Sequence, residues 1–178
     1  MKSQETVGLQ ELVEQQQRDL ERTKEKIGAP KFQFKNEYQE DLASFFLETD
    51  DAIITENNEV TLYVSGEDKF TQLKADIEQA KHHIHLQYYI FNDDTIGHEI
   101  MGLLIEKARE GIEVLVIYDA LGARKTRQGF WKKLHDAGGH TVPFFGYSLG
   151  FINWRINYRN HRKIVVIDGK IGYVGGFN

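Results

Sequence analysis

The sequence predicts an α/β fold built on a mixed sheet, and three features predict it. From about residue 57, apolar strands alternate with amphipathic helices, the order that produces βαβ units. Val114–Tyr118 is continuously apolar, as a strand buried on both faces of a parallel sheet would be. Arg162–Ile167 and Ile171–Val174 flank Asp168-Gly169, a tight-hairpin signal that makes the last pair antiparallel.

The elements follow in order. Residues 8–27 are rich in Gln, Glu, Lys and Arg and carry a sparse apolar stripe of Leu9, Leu12, Val13, Leu20 and Ile27. They read as an exposed helix that ends at Gly28-Ala29-Pro30. A short helix is expected over 38–50 and a short strand over Val60–Val64, before the Ser65-Gly66 turn. Asp68–Lys81 reads as a helix with Phe70, Leu73, Ile77 and Ala80 on one face, and His83–Phe91 as a strand. Ile96–Arg109 is the next helix, stopped by Gly111, and Val114–Tyr118 the next strand. Gln128–Ala137 is a helix closed by Gly138 and Gly139, and Thr141–Phe145 a strand. The expected organisation is a polar helical segment, 1–54, followed by one α/β domain, 55–178.

Composition narrows the function classes. The chain has 178 residues, 40% hydrophobic and 12% aromatic, which suits one ordinary globular domain. It has no cysteine, which excludes disulfides and thiolate metal sites. No apolar run approaches the roughly 20 residues that span a bilayer, so no transmembrane segment is expected in this chain. The net charge of −5 hides an asymmetry. Residues 1–60 hold 7 basic and 14 acidic side chains, whereas 121–170 hold 10 basic and only Asp136 and Asp168 as acids. That basic excess favours an anionic partner: phosphate, nucleic acid or acidic lipid.

The chemistry concentrates in 161–178, HRKIVVIDGKIGYVGGFN. Along a strand, His161 and Lys163 are two apart and project from one face. An imidazole beside an ammonium suits a phosphodiester: the histidine can attack phosphorus, and the lysine can hold the non-bridging oxygens. Asn178 can donate to the same oxygens, and Gly175 and Gly176 let the backbone pass close to a substrate. Asp168 has two readings, as a support for the site and as the opening residue of the Asp-Gly turn.

The spacing His161-x-Lys163, four residues, Asp168, six residues, Gly175-Gly176-x-Asn178 resembles the signature of the phospholipase D superfamily. The flanks FTQLKADIEQAKHHIHLQYYIFNDDTIG, GIEVLVIYDALG and INYRNHRKIVVIDGKIGYVGGFN are similar to bacterial cardiolipin synthases. The resemblance implies a phospholipase D-like αβ(α) sandwich with a mixed sheet, of which this chain is a single catalytic half. It implies a phosphatidyltransferase that joins two phosphatidylglycerol molecules and releases glycerol. His161 would be the nucleophile, Lys163 and Asn178 phosphate ligands and Asp168 a supporting residue. No metal and no organic cofactor would take part. The partners implied are phosphatidylglycerol and an anionic membrane surface, with the protein peripheral on the cytoplasmic face.

Two departures stand beside the resemblance: a single copy of the motif, and residues 1–27 that are polar where many relatives begin with two apolar helices. The motif occurs once, while the family builds its site from two copies, so a second motif is expected from a missing C-terminal half or a homodimer partner. The chain also stops at Asn178, which suggests a fragment of a protein about twice as long. The alternatives are a homodimeric single-motif phosphodiesterase or nuclease, and an inactive fragment that binds anionic lipid. The flanks argue against nucleic acid. Phe144–Tyr158 mixes aromatics with arginine, which suits a headgroup-binding loop, a single-stranded nucleic acid contact or an active-site loop that packs on its own core. Asp93-Asp94 is a weak metal pair without matching ligands, and Asp119 reads as a loop cap or a partner for a basic group.

Overall fold

A computed structural model describes residues 18, 21, 34–50, 52, 55, 58–145 and 159–178. The chain divides into two units, one ending at Thr61 and the other running from Leu62 to Asn178. The helix expected over 8–27 lies, but for Arg18 and Glu21, outside the described residues, as do 146–158 of the aromatic stretch.

In the first unit, α1 (Glu37–Asp50) forms where the short helix was expected. The Asn36 side chain accepts from Gln39 N at 3.0 Å, which caps the helix start. Glu37 and Glu40 in the first turn suit the positive end of its dipole.

The second unit begins its regular structure at α2 (Gly66–Gln79), where the Ser65 hydroxyl accepts from Glu67 N and Asp68 N. There follow β1 (His83–Tyr88), α3 (Thr95–Arg109), β2 (Glu113–Asp119), α4 (Gln128–Asp136), β3 (His140–Phe144), β4 (Lys163–Ile167) and β5 (Ile171–Val174). The five strands make one sheet in the order β3-β2-β1-β4-β5. β1, β2 and β3 are parallel, whereas β4 runs antiparallel to β1, and β5 to β4. The mixed sheet is thus present. Its two kinds of pairing follow from two kinds of connection, helical crossovers early and a tight turn late.

That turn has Asp168 at φ 54° and Gly169 at φ 64°, and Lys170 N donates to Ile167 O at 3.0 Å. Positive φ at both central residues is what a two-residue hairpin of right-handed twist requires, and Asp-Gly tolerates it.

The core lies between the sheet and α2, α3 and α4. Ile84, Leu86, Val116 and Val165 face Leu73, Ile77 and Leu104, all buried. Successive crossovers from β1 to β2 to β3 move in one direction across the sheet. Right-handed connections then place their helices on the same face.

Two expectations need correction. Val114–Tyr118 is not buried on both faces: burial alternates along β2, and Ile117 is 37% exposed. Val60–Val64 is not a strand either; it forms no ladder, and Val60, Leu62 and Val64 are all more than 80% exposed. An apolar alternation without a partner edge does not make a strand.

Candidate active site

The register of β1 and β4 decides which candidate residues meet. Tyr88 lies beside Lys163, and Ile84 beside Ile167. The start of β4 therefore sits at the end of β1. His161 stands two residues before β4 rather than within it, and its side chain is exposed. Lys163 is buried. Its Nζ lies 3.2 Å from Nδ1 and 3.1 Å from Nε2 of His161, and donates to the His161 carbonyl at 3.0 Å. Burial pushes the Lys163 ammonium below the usual lysine range.

Tyr89 completes this cluster. Its ring centroid is 4.7 Å from that of His161, and Lys163 Nζ lies 5.6 Å from the same ring. Asn178 joins from the other end of the segment, its Oδ1 accepting from Ile90 N at 3.2 Å. That bond occupies the amide oxygen and leaves its NH₂ for another acceptor. His161, Lys163, Tyr89 and Asn178 are thus gathered around the end of β1.

Gly175 and Gly176 lie between β5 and Asn178, and Gly175 N donates to Lys163 O at 3.4 Å. A Cβ at either glycine would meet nothing within 4 Å, so no neighbour among the described residues requires glycine there. Beside Asn178, a cavity of about 120 Å³ opens between Phe70, Leu73, Ile90, Phe91 and Ile96.

Asp168 is not brought to this cluster. It stands at the far end of β4, which over five residues is roughly 16 Å long. Its carboxylate accepts from Lys81 N at 2.9 Å, His82 N at 2.8 Å and His83 N at 3.0 Å. The bond from His83 N, with those from Lys81 and His82, holds its carboxyl down to about 2. Of the two sequence readings, the turn residue is the one the geometry carries. Asp168 ties the hairpin to the start of β1, and it makes no hydrogen bond to His161.

Asp93 and Asp94 do not form a metal pair. Asp93 lies 2.6 Å from His98 Nε2, and Asp94 caps α3 by accepting from Gly97 N at 2.9 Å. Among the described residues no group of three or more His, Asp or Glu could hold a metal ion. Asp119 does both things expected of it. It is fully buried, accepts from Leu121 N and Gly122 N, and lies 3.9 Å from Arg159 Nη1. It also accepts from Asn160 N at 3.2 Å.

Sequence reasoning missed Tyr89 and Lys69. Tyr89 carried no signal, because nothing local says that His161 will pack on it. Lys69 did: it stands four residues before Leu73 and eight before Ile77, inside the buried stripe of α2. Its Nζ donates to Tyr88 Oη at 2.6 Å and lies 3.7 Å from the Phe70 ring, and burial lowers its ammonium to about 8.

The comparisons with known proteins agree with the motif. Residues 73–178 match the family model described as cardiolipin synthase, PLD-like domain. The chain is 47% identical over 175 residues to the major cardiolipin synthase ClsA of Bacillus subtilis, covering 97% of this chain and 35% of that protein. It is 46% identical over 180 residues to a cardiolipin synthase of Listeria monocytogenes, covering 99% of this chain and 36% of that one. The chain therefore spans about a third of the length of the curated relatives it matches. Among solved structures, NucT from Helicobacter pylori is similar over 63% of this chain and 67% of that one, with a TM-score of 0.47 and 21% identity.

Proposed function

This chain belongs to the cardiolipin synthase PLD-like domain family, and from that premise we propose that residues 55–178 carry one motif of an enzyme that makes cardiolipin. The observation that supports this reading is the contact of the buried Lys163 ammonium with the exposed His161 ring, at the end of β1 where Asn178 is bonded to Ile90 N. A nucleophile open to solvent with an anion-binding ammonium at its side suits a lipid phosphodiester.

In this reading, a ring nitrogen of His161 attacks the phosphorus of one phosphatidylglycerol. A P–N bond forms, and the P–O bond to the terminal glycerol breaks. Lys163 and Asn178 hold the non-bridging oxygens as charge builds on them. The departing alkoxide takes a proton from a histidine of a second motif, supplied by a homodimer partner or by a further part of a longer protein. A hydroxyl of a second phosphatidylglycerol then attacks the phosphohistidine. Its proton passes to the same second histidine, the P–N bond breaks, and His161 is regenerated. Glycerol and cardiolipin are the products. Gly175 and Gly176 leave open space along the backbone where the lipid headgroup would lie.

We place the protein on the cytoplasmic face of the membrane. Among the described residues, no helix is long and apolar enough to cross a bilayer. The exposed Arg124, Lys125, Arg127 and Arg162 offer attraction to anionic lipid.

The test is the mass of the purified chain after incubation with phosphatidylglycerol vesicles, with His161→Ala alongside. A phosphatidyl adduct on the wild type and none on His161→Ala is the expected result. An adduct of equal yield on His161→Ala would remove His161 as the nucleophile.

A further inference from the structure

We infer that Asp119 is a positioning residue for His161, acting through two arms, one on the backbone beside His161 and one on the ring that its imidazole rests against. The inference rests on the reading of His161 as the nucleophile, but its geometry stands apart from that reading.

The first arm is the backbone leading into β4. His161 precedes the strand, so the β1–β4 ladder does not hold it. Two bonds hold its neighbours instead: Asn160 N donates to Asp119 Oδ2 at 3.2 Å, and Arg162 N donates to Asn160 Oδ1 at 3.4 Å. The Asp119 carboxylate thus ties the residue next to His161 to the end of β2, across a sequence separation that no local structure bridges.

The second arm is the loop after β2. Asp119 Oδ1 accepts from Leu121 N at 2.9 Å and Gly122 N at 3.0 Å, folding the loop back over the end of β1. There Gly122 presses on the backbone of Tyr89, so closely that a Cβ at 122 would stand 2.1 Å from Tyr89 O. The Tyr89 ring in turn lies against His161, with centroids 4.7 Å apart. One carboxylate therefore sets both the backbone beside the imidazole and the ring on which the imidazole rests.

The burial of Asp119 is consistent with this work. A carboxylate without solvent is costly unless its oxygens are filled, and here backbone N–H groups fill both. Arg159, at 3.9 Å, is too far to be the main partner. A role confined to pairing Arg159 would not need the bonds to Leu121, Gly122 and Asn160.

The test uses the full chain labelled at histidine, with Asp119→Asn and Gly122→Ala. An amide has one acceptor oxygen, so Asp119→Asn can keep the loop or the Asn160 bond, but not both. Gly122→Ala leaves Asp119 intact and displaces Tyr89. In the wild type, NMR should show the ring protons of His161 shifted by Tyr89 and in contact with it. In either variant, with a single cooperative melt retained, we expect that contact to be lost and the phosphatidyl adduct on His161 to form about 100-fold more slowly, the scale of a 1 Å misplacement. A folded Asp119→Asn that keeps the Tyr89 contact and an adduct rate within about twofold of wild type would overturn the inference. Should Asp119→Asn not fold, Gly122→Ala decides alone, and an unchanged His161 signal there overturns it. If the wild type forms no adduct, the transferase reading fails while the NMR result still judges the positioning role.

Discussion

At the scale of single residues, the motif divides into two groups that its linear spacing does not distinguish. His161, Lys163 and Asn178 gather at one end of β4, and Asp168 holds the other. Asp168 is a structural anion: three backbone N–H groups converge on it, and they favour its charged form. Its folded value of about 2 lies below the ordinary 3.8. The stabilisation is therefore present above about pH 4 and is lost as pH falls through about 2. We expect Asp168→Asn to melt below the wild type at neutral pH, with the gap closing between pH 4 and pH 2. A gap that stays constant across that range, followed by circular dichroism, would show that the charge contributes nothing. Lys69 was legible as an anomaly, a lysine in an apolar stripe. Tyr89 was not, because a ring contact across 72 positions of sequence leaves no local mark.

At the scale of elements, most helices and strands appear where periodicity places them, and the differences have a common cause. β1 ends at Tyr88, before the expected Phe91, because the backbone from Tyr89 onward turns into the tight lead of α3. There Asp94 caps the helix, and Gly97 lets the Asn92 carbonyl approach so closely that a Cβ would stand 1.9 Å from it. We expect Gly97→Ala to cost about 1–3 kcal/mol of stability by overpacking, measured by urea denaturation. A loss within about 0.5 kcal/mol would mean that the turn relaxes freely. The Val60–Val64 prediction failed for the complementary reason. Alternation describes which side chains could face a core, but a strand exists only where an edge accepts its hydrogen bonds.

At the scale of the whole molecule, the charge asymmetry is the property with a functional reading. Arg124, Lys125, Arg127, Lys133, Arg162 and Lys170 are exposed, so the basic excess of 121–170 is not consumed within the core. We expect the chain to bind phosphatidylglycerol vesicles and not phosphatidylcholine vesicles in a flotation assay. Binding should weaken at least about tenfold from 0.1 M to 1 M salt, as the Debye length falls from about 10 Å to about 3 Å. Equal binding to neutral vesicles would remove electrostatics as the cause.

The sequence by itself determined the α/β class, the mixed sheet, the terminal hairpin and the nearness of His161 to Lys163. Each is a local property: a period of 3.6 or 2, a turn dipeptide, two residues on one short segment. Only the tertiary structure decided that Asp168 bonds to the start of β1 and not to the imidazole, and that burial alternates along β2. It also decided that Tyr89 lies against His161, that Gly122 lies against Tyr89, and that Asp119 bonds the backbone N–H next to His161. Those facts depend on strand register and on the handedness of crossovers, which bring together residues that are distant along the chain. No periodicity encodes that meeting.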